Sequence, residues 1–157
     1  MGGCGNKEKN KTASEVTYNG DAIYPVKCDD TITYWIPLNA VLSTTVSNFG
    51  ESAIGKKLAE DTGVKIKYIH PTAGGEADQF SVLLASGELP DIINWDWRAY
   101  GADKAMDNKY IIKLNDTIDK YAPNLKNLIK SDGELEKMLK TDDGSYYAFP
   151  FLRGDEE

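Results

Sequence analysis

Between residues 31 and 95 the hydrophobic period switches repeatedly between two and about 3.6 residues, and this alternation limits the possible folds more than any other feature. Thr31-Ile32-Thr33-Tyr34-Trp35-Ile36 crowds β-branched and aromatic residues together until Pro37 stops the run, which predicts a first strand. From Asn48 to Thr62 the apolar positions Ala53, Ile54 and Leu58 recur at helical spacing. Asn48 and Glu51 have the separation of a capping pair, and Gly63 stands where a left-handed C-terminal cap belongs, so one helix is expected over 48–62. Val64 to Ile69 alternates apolar with charged residues up to Pro71, the pattern of a strand near a sheet edge. A second helix follows Gly74-Gly75 with Ala77, Phe80, Leu83 and Leu84 on one face, and a short buried-type strand follows at 91–95. Strand, helix, strand, helix, strand predicts an α/β fold, a mostly parallel sheet flanked by helices with right-handed connections.

Beyond residue 95 the pattern predicts a short helix near 100–108, an apolar segment at 111–114, and helical stretches near 116–121, 124–130 and 133–140. Asp142-Asp143-Gly144 then marks a turn into Ser145-Tyr146-Tyr147-Ala148-Phe149. Residues 1–30 have no sustained apolar period and read as a flexible tether, leaving 31–157 as the folded unit.

Several function classes are excluded by composition. A net charge of -7 opposes a nucleic-acid partner, because phosphate recognition needs clustered Lys and Arg. No run approaches the roughly 18 to 20 apolar residues needed to cross a bilayer. The cysteines, Cys4 and Cys28, have neither CxxC spacing nor a neighbouring histidine, so no metal site is expected. The single histidine, His70, lies beside a proline at a strand end and reads as structural, which removes triads and multi-histidine centres. No cofactor motif is present: Gly74-Gly75 precedes a helix but lacks the Lys-Ser/Thr of a phosphate loop.

In an open parallel sheet, ligands bind beyond the carboxyl ends of the strands, where connecting loops converge. After the first strand come Trp35 and Asn39; after the third come Trp95, Asp96, Trp97 and Arg98. Tryptophan faces stack on the C–H face of a sugar ring, while carboxylate, amide and guanidinium groups bond its hydroxyls, so this set suits a carbohydrate. The competing reading places tryptophans in the core and makes Asp96 a helix cap. A glycosidase using Asp96 and Asp143 is a third reading, and no strong catalytic motif supports it. Asp142-Asp143 and Glu156-Glu157 lack calcium-loop spacing and read as turn and tail.

Taken in order, Ile32-Thr33-Tyr34-Trp35, Glu60-Asp61-Thr62-Gly63-Val64, Ser86-Gly87-Glu88-Leu89-Pro90-Asp91-Ile92-Ile93, Ile112-Lys113-Leu114-Asn115-Asp116 and Asp143-Gly144-Ser145-Tyr146-Tyr147-Ala148-Phe149-Pro150 resemble the first lobe of family 1 extracellular solute-binding proteins, in particular the lipoprotein branch of Gram-positive bacteria. The resemblance implies the first lobe of a type II periplasmic-binding-protein-like clamshell that captures a sugar or oligosaccharide for an ABC importer, works with permease subunits and is not an enzyme. A peptide or other small solute on the same scaffold is the alternative. It also implies a cleft reached by Trp35, Asn39, Trp95, Asp96 and Trp97, approached by Tyr147. Gly3-Cys4 followed by Gly5-Asn6 resembles the end of a lipobox, which implies a lipid on Cys4 anchoring the protein at the extracellular face of the cytoplasmic membrane. By the same resemblance the chain stops at Gly154-Asp155-Glu156-Glu157, before the crossover into a second lobe, and unpaired strand edges and uncovered apolar surface are expected.

Overall fold

The computed structural model describes residues 24–27 and 29–152. Cys4, Cys28 and the tether expected over most of 1–30 therefore lie outside the described residues, as do the acidic residues at the C-terminal end. Three parallel strands, β1 (Thr31–Trp35), β2 (Lys65–Ile69) and β3 (Ile92–Ile93), form a sheet in the order β2-β1-β3. Thr31 pairs with Lys65 and Trp35 with Ile69 on one side of β1, and Tyr34 pairs with Ile92 on the other. Helix α1 (Ala53–Thr62) connects β1 to β2, and α2 (Glu76–Ser86) carries the chain back past β1 to β3. Because the two connections run in opposite directions across the sheet, right-handed crossovers put the two helices on opposite faces. The alternating β2 lies at a sheet edge, as its polar face requires.

The helix expected as one piece over 48–62 is two. Asn48 accepts from the Gly50 N–H and starts a 3-10 turn at Phe49–Glu51; Ser52 is extended and its hydroxyl accepts from the Gly55 N–H at 3.0 Å, capping α1 afresh. Gly63 ends α1 at φ 72°, the left-handed cap expected of it. Ile54 and Leu58, expected to face the core, are 71% and 42% exposed. The buried line of α1 runs instead through Ser52 and Gly55, where the helix backbone meets the Phe49–Gly50 turn.

On the other face Phe80 and Leu84 of α2 are buried against Trp35 and Trp97, forming the main core. The third strand is only two residues long, and just beyond it the Asn94 N–H still donates to the Trp35 carbonyl of β1 at 2.8 Å. At the opposite end of β3, Asp91 Oδ2 accepts from the Thr33 N–H and hydroxyl while the Asp91 N–H donates to the Thr33 hydroxyl, clamping β3 to β1.

Next come α3 (Trp97–Tyr100), α4 (Ala102–Asp107), α5 (Asn115–Tyr121), α6 (Pro123–Ser131) and α7 (Gly133–Met138). Ile118, Ile129 and Tyr146 form a second core among the last three helices. The strand-like segment after the Asp142-Asp143-Gly144 turn is reduced to one antiparallel bridge, Lys140 to Tyr146, pinned by the Leu114 N–H on the Tyr146 carbonyl at 2.8 Å. Tyr146 enters the second core while Tyr147 and Ala148 pack on the first, so this segment joins the two.

Candidate functional site

Parallel pairing brings all three strand ends to one edge, and the point where the chain's connections diverge lies between β1 and β3. That is where an α/β sheet leaves a crevice. From β1 the chain passes Ile36 into a loop carrying Asn39; from β3 it passes Trp95 and Asp96 into α3, which carries Arg98.

The sequence brought three tryptophans to this edge, and the structure separates their roles. Trp35 is 3% exposed and Trp97 4%; both sit in the main core and have no face left for a sugar. The physical reason for Trp97 is that it opens a helix rather than continuing the strand, so its ring turns inward, edge-on to Phe80 at 5.5 Å, and its indole N–H reaches the Ile93 carbonyl. Trp35 packs beside both Phe80, at 5.9 Å, and Trp95, at 5.7 Å. Trp95 alone is half-buried, one face stacked on Phe80 at 4.1 Å. Asp96 caps α3 by accepting from the Ala99 N–H at 2.9 Å, the role it has in the competing reading and not the sugar contact expected of it. Asn39 stands on the loop after β1, its Oδ1 accepting from the Val41 N–H.

Arg98 and Tyr147 are brought together. They line an open cavity of about 350 Å³ floored by Met138, Leu139, Ala148 and Pro150. A second cavity of about 280 Å³ adjoins it, sharing Arg98, Met138 and Tyr147 and adding Asp103, Lys137, Thr141 and Asp142. The Arg98 side chain makes no hydrogen bond or ion pair among the described residues, so its five donors stand over an apolar and aromatic floor with charged groups of both signs beside them. That combination can hold a polyhydroxylated molecule: apolar surface for C–H faces, fixed polar groups for hydroxyls. Trp35, Asn39, Trp95, Asp96 and Trp97 line neither cavity. Sequence reading missed Lys137, Thr141 and Asp142; the acidic turn running into the Tyr146-Tyr147 pair was the available signal.

The two carboxylates of the glycosidase reading each have a structural task. Asp96 serves α3, and Asp143 accepts from Lys113 at 2.6 Å and from Thr141 and Ser145. The Lys113 ammonium, then the two hydroxyl-bearing residues, hold the Asp143 carboxyl far below the usual carboxylate range, so it has no proton to give at neutral pH. Among the described residues no three His, Cys, Asp or Glu side chains gather to hold a metal, and no helix is long and apolar enough to cross a membrane.

Residues 43–156 match the family of bacterial extracellular solute-binding proteins. The chain belongs to this family. A curated relative, the fructooligosaccharide ABC transporter substrate-binding protein FusA of Streptococcus pneumoniae serotype 4, is 28% identical across 97% of the chain and 27% of its own length. Among solved structures, S. pneumoniae FusA with kestose superposes with a TM-score of 0.67 at 26% identity, over 82% of this chain and 26% of that one. An extracellular solute-binding protein from Bifidobacterium longum subsp. infantis superposes at 0.58 and 26% identity, over 75% and 22%. The chain thus spans about a quarter of the length of the relatives it matches. Its parallel sheet flanked by helices superposes on part of a substrate-binding protein.

Proposed function

We propose that the chain is the N-terminal lobe of an oligosaccharide-capturing solute-binding protein that delivers its ligand to the permease subunits of an ABC importer. The observation that carries this reading is the match to FusA along nearly the whole chain, together with the kestose complex of that relative. Within the lobe, Arg98 and Tyr147 contact the sugar, Tyr147 by its ring and Arg98 by donors to hydroxyls; Trp95 and Asn39, on loops outside both cavities, meet the part of an oligosaccharide that extends beyond them. Residues 1–30 serve as a tether, with Cys4 the lipid attachment point at the extracellular face of the membrane, and a second lobe closes over the ligand. Binding, not catalysis, is the activity.

Calorimetric titration of the full-length protein with fructo-oligosaccharides, other glycans and short peptides tests the reading. Heat with oligosaccharides, weakened about tenfold or more in Tyr147→Ala as expected for a lost stacking partner, supports it. Heat only with peptides, or affinity unchanged in both Tyr147→Ala and Arg98→Ala, contradicts it.

A further inference from the structure

The loop that carries Asn39 runs over residues 37–48, and both of its ends hang on one side chain. His70, just past β2, contacts the Ile36 carbonyl through Nδ1 at 2.8 Å and receives the Phe49 N–H on Nε2 at 3.0 Å. Ile36 immediately precedes the loop and Phe49 immediately follows it. Asn48 adds a bond from its Nδ2 to the Tyr68 carbonyl at 3.3 Å, and within the loop the Asn39 carbonyl accepts from the Ser43 N–H of the 3-10 turn Leu42–Thr44. The loop otherwise has little of its own core: Val41 is 78% exposed and no residue of the Leu42–Thr44 turn is buried.

The two bonds fix the protonation of the ring. A backbone N–H can only donate, so Nε2 must offer a lone pair; a carbonyl can only accept, so Nδ1 must carry the proton. The neutral Nδ1–H tautomer satisfies both partners, and the imidazolium turns Nε2 into a donor aimed at another donor. The elements packed around the ring supply few charges to offset this. From β2 the Tyr68 ring lies parallel at 6.3 Å, its phenol raised by burial and so neutral, while Lys65 and Lys67 alternate to the other face. From the Phe49–Glu51 turn Glu51 is turned to the Ser47 hydroxyl, and the loop start at Ile36-Pro37 is uncharged.

We propose that His70 is the positioning residue for the rim loop of the ligand site: as neutral imidazole it pins both loop ends and holds Asn39 at the cleft, and on protonation it releases the Phe49 end and lowers ligand affinity. The proposal rests on the sugar-binding reading for its functional half, while the pin stands on geometry alone.

The test compares the full-length protein at about pH 7.5 and about pH 5. Nitrogen-15 NMR should show the Nδ1–H tautomer of His70 at the upper pH, and amide protection factors over 38–49 should fall at the lower. Kestose binding should weaken about tenfold across the same range, the size expected for one lost hydrogen bond. His70→Gln, whose carbonyl oxygen can still accept from Phe49 and does not titrate, should flatten both profiles; His70→Ala should lose loop protection at every pH. An Nε2–H tautomer, pH-independent loop protection in the wild type, or an unchanged pH profile in His70→Gln would overturn the pin. Loop protection that falls with pH while kestose affinity stays constant would overturn its link to binding. Absence of kestose binding at every pH would mark a failure of the sugar reading, and the loop protection factors alone would then decide the pin.

Discussion

The two helices that cover the sheet are held in opposite ways. Helix α2 is held by volume: Phe80 is 3% exposed and touches Trp35, Trp95, Trp97 and Tyr100, so one side chain organises most of the aromatic core. Helix α1 is held by the lack of it. Its large apolar residues Ile54 and Leu58 face outward, and Gly55 lets the helix backbone rest on the Phe49–Gly50 turn, so closely that a Cβ there would stand 2.9 Å from the Gly50 Cα and nearer still to the Phe49 carbonyl oxygen. The lesson is that an apolar stripe on a helix does not by itself say which face is buried. A glycine can mark the buried face just as firmly.

The sharpest way to break this contrast is to remove atoms from α2. Phe80→Ala should cost about 3–5 kcal/mol in urea denaturation, because it empties the centre of the aromatic cluster. Adding atoms to α1 comes next: Gly55→Ala should cost about 1–3 kcal/mol despite alanine's better helix propensity, since backbone rather than a flexible side chain stands in the way. If Gly55→Ala instead stabilises the protein, the close approach is not what holds α1.

A smaller effect distinguishes the clamp at the far end of the sheet. The Thr33 hydroxyl, then the Thr33 N–H, lower the pKa of Asp91 from its ordinary 3.8. A depressed carboxyl contributes stability that is complete above the unfolded value and lost as pH falls through the folded one. The gap in denaturation midpoint between wild type and Asp91→Asn should therefore narrow on going from about pH 6 to below about pH 3. Smallest of all, Leu58→Ser on the exposed side of α1 should change stability by no more than about 0.5 kcal/mol by the same assay.

Much of this was legible in the sequence because it is local. The runs ended by Pro37, Gly63 and Gly87 mark where the first strand and the first two helices stop, and the alternation of 64–69 places β2 at an edge. What could not be read depends on distant partners or on a change of local geometry. Trp95 and Trp97 share a face only if the strand continues; the Asp96 cap turns the chain into α3 and sends Trp97 inward. The cavity at Arg98 is built with Met138, Tyr147 and Pro150, residues that only the packing of α7 and the returning segment brings across.

In the proposed function a sugar sits in the cavity against Tyr147 and Arg98. The most direct test of this is a crystal structure of the full-length protein grown with kestose. The account predicts the sugar ring on Tyr147 with a hydroxyl within hydrogen-bond distance of the Arg98 guanidinium. A sugar bound elsewhere, with Arg98 and Tyr147 untouched, would contradict it.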